Sequence, residues 1–251
     1  MKIQSFAKLM TAIAGTVTVL SINHKNVIAG DITLGFDSLP TAQGWNYISS
    51  NPSILETNTF SVDGARLNQN TLGIGNSSSI YQFLDIVDIS KPFTLSFRAR
   101  VLDEDIFGNN AFGFGAFVVS GTQGFAVGLG TNQIGIGPLI ILPGTFDNTI
   151  FHDYRIEGSF VSGQSQLFVD DQFLTNLPLF NSTNQNGLLL GDGTQLRNAR
   201  AEITEFTFQQ SESTSIPESS NILGLILVSG VSVFTGIKCQ KKEEIKTEQE
   251  T

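Results

Sequence analysis

Between Phe93 and Val101 every odd position is apolar and every even position polar, Phe93, Leu95, Phe97, Ala99 and Val101 alternating with Thr94, Ser96, Arg98 and Arg100. Successive side chains of a strand point to opposite faces, so this run has one face to bury and one to leave in water. Pro92 suits its entrance, where a missing N–H costs no ladder bond. No long 3.6-residue period appears between residues 30 and 210. The chain is rich in Phe (20) and Gly (25) with few Lys, which makes the body all-β.

The same period recurs in shorter pieces. Ile32, Leu34 and Phe36 predict a first strand and Trp45, Tyr47 and Ile48 a second. Phe60, Val62, Ala65 and Leu67 predict a strand pair turned at Asp63-Gly64, one of the stronger hairpin dipeptides. Ile80 to Phe83 resumes the alternation ahead of the long strand. Leu102 to Asn110, carrying Asp103, Glu104, Asp105 and Gly108, reads as an exposed loop. Three strands then predict a meander, Phe112 to Val119, Gly124 to Gly130 and Gln133 to Leu142, divided at Ser120–Gln123 and Thr131-Asn132. In it Phe112, Phe114, Ala116 and Val118 point one way. Gly113, Gly115, Gly128 and Gly130 leave the other face bare, either for a close-packed layer or for a shallow ligand face.

Further on, His152 to Gly158 predicts a strand. Leu167-Phe168-Val169 meets Phe173-Leu174 across Asp170-Asp171-Gln172, where aspartate tolerates the left-handed backbone of a tight turn. Gly187 to Leu190 and the closing run Ala199 to Phe208 complete the pattern. In that last run the apolar phase slips from odd to even between Ile203 and Phe206, which one extra residue in a β-bulge would absorb. Roughly ten to fourteen short strands with closely spaced turns favour a two-sheet jelly-roll sandwich.

The Tyr-Arg-Ile-Glu strand at Tyr154, the Leu-Phe-Val-Asp-Asp hairpin at Leu167, the Leu-Leu-Leu-Gly-Asp segment at Leu188 and the closing alternation together resemble the concanavalin A-like lectin/glucanase (laminin-G-like) sandwich. That resemblance implies a domain over residues 30–210 that binds glycan or another surface component. Glucanases of this fold carry a Glu-x-Asp-x-x-Glu strand with its carboxylates on one face. Glu202-Ile203-Thr204-Glu205 lacks the central Asp and, in a regular strand, puts its two Glu on opposite faces. The expectation is therefore no catalytic residue and no enzyme. A structural surface protein without a small ligand and, behind it, a glycoside hydrolase remain the alternatives.

His152 is the sole His of the body, which holds no Cys and no Gly-x-Ser-x-Gly elbow. Nucleophilic triads and zinc or iron sites have no ligand set here. From Asp31 to Gln210 there are seven Lys/Arg and seventeen Asp/Glu, 7 − 17 = −10, which repels nucleic acid. No cofactor is expected apart from calcium, for which Asp170, Asp171 and Asp192 offer loop oxygens, with Asp103, Glu104 and Asp105 as further donors. Trp45, Tyr47 and Tyr154 are the candidates for stacking on a sugar ring. The competing assignment for them in a Phe-rich domain is the core.

The two ends read as addresses. Lys2 and Lys8, the apolar core Leu9 to Leu20 and Val27-Ile28-Ala29 form a secretory signal peptide over residues 1–29. Residues 211–221 make a polar linker holding Pro217-Glu218. Residues 222–237 are mostly apolar, about 24 Å as a helix against a hydrocarbon core of about 30 Å. Residues 238–251 are charged, with Lys238, Lys241 and Lys242 as a basic stop that places this tail on the cytoplasmic side. Ile216-Pro217-Glu218, the apolar run and the Lys cluster resemble the PEP-CTERM sorting signal. The resemblance implies export, exosortase and the secretion machinery as partners, and a membrane-anchored or, after processing, cell-surface or extracellular product that meets surface polysaccharide. Ser219 in place of a second Pro, Lys in place of Arg, and the extension from Glu243 to Thr251 depart from that pattern. A single-pass anchor is the other reading of the same residues.

Overall fold

A computed structural model describes residues 31–106, 112–137, 140–142 and 146–211. The signal peptide, Pro217-Glu218, the apolar run and the basic stop lie outside them. Among the described residues no helix is long and apolar enough to cross a membrane.

The domain is the expected all-β jelly-roll sandwich of two antiparallel sheets. One runs in the order β12 (Gln172–Leu177), β11 (Gln164–Val169), β10 (His152–Ser159), β6 (Phe93–Ile106), β14 (Arg197–Gln210), β4 (Leu67–Asn70) and β3 (Phe60–Val62), with β1 (Ile32–Thr33) also pairing with β14. The other runs β2 (Asn46–Ser49), β5 (Ser79–Leu84), β13 (Phe180–Asp192), β7 (Phe114–Gly130), β8 (Gln133–Ile136) and β9 (Ile140–Leu142). One helical turn, α1 (Glu56–Thr59), precedes β3.

The alternation of β6 buries Phe93, Leu95, Phe97, Ala99 and Val101 between the sheets, where they meet Phe114, Ala116, Val118, Phe125, Val127 and Leu129 of β7. The phase slip in β14 is a bulge. Ile203 opposes Ala99 and Glu205 opposes Arg98, so Thr204 is the extra residue, and Ile203, Phe206 and Phe208 all point inward. A second register shift, between Arg200 and Ala201, lets the same strand continue along β6.

Three expectations are corrected. Residues 102–106 are not loop: β6 continues to Ile106 because β14 pairs with it as far as Arg197, and the side chain of Glu104 is inside, beside Arg197. Ser120–Gln123 is not a turn either. β13 runs alongside and pairs with it, so β7 continues through a left-handed Gly121 (φ 58°), with the irregularity taken up between Asn181 and Gln185. Phe112 does not share a direction with Phe114. Its ring lies over Gly128 and Gly135, on the face opposite the inward Val127 and Leu129, so closely that a Cβ at either glycine would overlap it. Phe180 covers Gly124 in the same way. The four glycines of the expected bare face are thus covered by the chain itself, Gly128 by Phe112, Gly115 by Phe117 and the Val127 carbonyl, Gly113 by Ala199 and Gly130 by Glu104, Gln133 and Arg197. Ile80, Phe117, Val119, Ala126, Phe180 and Leu189 form a second apolar cluster there.

At the end of β13, opposite Ser79, Asp192 is fully buried. Its Oδ1 accepts from the Thr194 N–H at 3.1 Å, while Oδ2 has no hydrogen-bond partner among the described residues. Burial pushes this carboxyl well above the usual value of 3.8, against the lowering effect of Thr194 and Thr71. A folded acid with a raised pKa keeps a proton that the unfolded chain releases. Its contribution to stability is therefore complete below the unfolded pKa and is lost as pH rises toward the folded one. Asp192→Asn should flatten the fall in melting temperature as pH rises above the usual carboxyl value of 3.8. A variant whose fall matches that of the wild type would locate the pH dependence elsewhere.

Candidate functional site

The aromatics singled out for ring stacking belong to the interior. Trp45 is 3% exposed and packs on Phe83 and Phe206 at centroid distances of 5.3 and 5.5 Å. Tyr154 is 1% exposed and stacks on Phe97 at 5.0 Å, and its hydroxyl donates to Asn148 Oδ1 at 2.8 Å. Burial pushes the Tyr154 phenol up, so it stays a neutral donor. Tyr47 is half-buried, its hydroxyl within 3.2 Å of Ile54 O and Thr59 Oγ1 and 3.1 Å of Ser79 Oγ. The two tyrosine hydroxyls are satisfied inside the domain, and all three rings pack against aromatic neighbours of the core.

The acidic candidates stand apart. Asp170 and Asp171 form the two-residue turn between β11 and β12, both left-handed at φ 50° and 60°, as a type I′ hairpin requires. Asp170 accepts from His152 Nδ1 at 2.6 Å and from the Asp153 N–H at 3.0 Å. Burial would raise its pKa, but those two bonds hold it below the usual range. Asp192 belongs to the other sheet. Among the described residues no three of His, Cys, Asp or Glu come together as a metal-binding group.

The bulge in β14 does turn Glu202 and Glu205 to the same outer face. Glu202 is clamped there by Arg66 and Arg100, each with a guanidinium nitrogen 2.8 Å from Oε2.

What the fold assembles at the surface is the outer face of β10, β11 and β12. Leu167 and Val169 point inward, so Phe168 between them points out, and the two-residue turn makes Phe173 its cross-strand partner. Arg155 opposes Phe168 from β10. The guanidinium carbon of Arg155 sits 4.2 Å from the centre of the Phe168 ring. Phe173 meets that ring edge-on at 5.9 Å and is 54% exposed. The parallel row one pleat along is Glu157, Gln166 and Asn176, again direct cross-strand partners. The side-chain amides of Gln164, Gln166 and Asn176 make no hydrogen bond to another described residue.

Beside these rows opens a groove of about 630 Å³ whose lining includes Glu157, Ser159, Ser162, Gln164, Gln166 and Asn176. Arg155 is held by Glu157 through a close ion pair and by Asp171 at 3.3 Å. An exposed ring edge next to unpartnered amides and serine hydroxyls offers an apolar contact and both signs of hydrogen-bonding group within one sheet face. The sequence held the signal for it. With Leu167 and Val169 as core positions, period two sends Phe168 outward and a two-residue turn sends Phe173 with it.

The domain is a jelly-roll sandwich with a polar-aromatic face on one edge of a sheet. No family model and no curated protein matches the chain. Among solved structures it is similar to a sialidase at 11% identity and a TM-score of 0.48 over 73% of this chain, spanning 19% of that one. It is also similar to a native glycosidic hydrolase at 12% identity and a TM-score of 0.44, covering 73% of this chain and 97% of the other. A third likeness is to the exoplasmic/lumenal domain of VIP36 in its Ca2+/Man2-bound form, at 8% identity and a TM-score of 0.44, covering 77% and 92%. Likeness at this level decides nothing about the face.

Proposed function

We propose that the chain is a non-catalytic glycan-binding protein that meets its ligand on the outer face of β10, β11 and β12. The observation that carries this is the exposed Phe173 beside the Arg155–Phe168 stack, one pleat from the unpartnered amides of Gln166 and Asn176. A pyranose presents a C–H face that packs on an aromatic ring and a rim of hydroxyls that both donate and accept. Amide side chains match the rim, and the groove supplies length for more than one sugar. The non-catalytic reading is supported by the state of the carboxylates. Glu202 is engaged by two arginines and Glu157 by a third, so neither stands free as a proton donor or nucleophile.

The expected result is binding to a subset of a glycan array by wild type, with Phe173→Ala and Gln166→Ala each weakening it about tenfold, the scale of one lost contact worth 1.4 kcal/mol. Retained binding in both variants would move the site elsewhere, and release of reducing ends would replace binding by hydrolysis. For delivery we propose export by the signal peptide and sorting by the PEP-CTERM-like tail through exosortase, on the strength of the tripartite order around Pro217-Glu218. Mass spectrometry of the mature C-terminus tests this. Chains ending near Glu218 support it, and chains keeping Lys241 to Thr251 make the tail an anchor.

A further inference from the structure

We propose, resting on the glycan-binding reading of this face, that the face selects neutral glycans and rejects their anionic counterparts. Recognition of a carboxylate or sulfate on a sugar needs an uncommitted cation, and fork-like guanidinium geometry is the usual means. Arg155 is the cation within these rows, and it is spent three ways. One guanidinium nitrogen is against Glu157 Oε1, another is 3.3 Å from Asp171 Oδ1, and its carbon lies over Phe168.

The neighbouring charges repeat the pattern. Arg98, two positions along β6 from Ser96, the partner of Arg155, is paired with Asp153 at 2.8 Å. Glu157 lines the groove itself, with its side chain 43% exposed, and the Asp171 side chain is 89% exposed beside the stack. A ligand anion would have to displace Glu157 or Asp171 from Arg155 while facing both of them, within a body whose net charge is −10 by the count above. What the face leaves unspent is neutral, the amides of Gln164, Gln166 and Asn176. Those groups bond hydroxyls and acetamido groups without a charge on either side.

The test uses the full chain in mild detergent and matched pairs of oligosaccharides on one backbone, neutral and carrying a uronate, sialic acid or sulfate. Wild type should bind the neutral member at least about tenfold more tightly than the anionic one, the order of one unfavourable unit charge near contact. Neutral binding should be unchanged by added salt, because no ion pair forms. Glu157→Gln with Asp171→Asn frees Arg155 and should narrow or reverse the preference with an unchanged melting temperature. Equal or tighter binding of the anionic member by wild type, or a preference unmoved in the double variant, overturns the proposal while the glycan-binding reading stands. Binding of neither member overturns both.

Discussion

Glu104→Ala is expected to lower the free energy of unfolding by about 3–5 kcal/mol, because it leaves a buried guanidinium without its counter-charge. The side chains of Glu104 and Arg197 are 8% and 7% exposed, with Arg197 Nη1 3.3 Å from Glu104 Oε2. That contact is coulombic rather than a well-aligned hydrogen bond. The other carboxylate oxygen accepts from the Thr131 hydroxyl at 2.8 Å and from the Thr131 N–H at 3.3 Å, fastening the turn after β7 to β6. Glu104→Gln keeps the acceptor and removes the charge, so it should fall between wild type and alanine. Urea unfolding measures both variants. An alanine loss under about 1 kcal/mol, the scale of an exposed pair, would mean that Arg197 reaches water.

The second large effect is expected at Phe206, where truncation to alanine should cost about 3–5 kcal/mol. The ring is 1% exposed and meets Trp45 edge-on at 5.5 Å, and it points inward because Thr204 is bulged out one turn of the pleat earlier. Trp45 is the sole tryptophan of the chain, so its fluorescence reports the cavity directly. Phe206→Ala should shift that emission to the red as well as lower the denaturation midpoint. Phe206→Leu, which loses less volume, should do less of both. A destabilised variant with unshifted emission would place the loss away from Trp45.

These positions show how the fold could be read in advance and where it could not. The odd-even rule in β6, the phase slip in β14 and the Asp170-Asp171 turn are local signals. Each depends on the sign of neighbouring side chains or on backbone a single residue type prefers, and each appears in the structure where the sequence puts it. Ser120-Gly121-Thr122-Gln123 carries the composition of a turn, yet β13 lies beside it and supplies ladder partners on either side of the irregularity. Glu104 among Asp103 and Asp105 carries the composition of a loop, and its partner Arg197 lies far along the chain. Both were decided by a neighbour that no local window contains.

The burial of the aromatic candidates escaped the sequence for a related reason. Trp45, Tyr47 and Tyr154 have polar handles that recommend them for ligand contact, but the hydroxyls of Tyr47 and Tyr154 find partners inside the domain and the Trp45 ring is packed on Phe83 and Phe206. Phe168 and Phe173 have no such handle. Their outward direction followed only from taking the hairpin register to its end.

A backbone amide titration by nuclear magnetic resonance with the neutral oligosaccharide that binds best would locate the ligand on the sandwich directly. Shifts should concentrate at Arg155 to Glu157, Gln164 to Phe168 and Phe173 to Asn176 and saturate together with one dissociation constant, which rises about tenfold in Phe173→Ala. Saturable shifts on the six-stranded sheet, around Phe117 and Leu189, with β10, β11 and β12 unmoved, would contradict that placement.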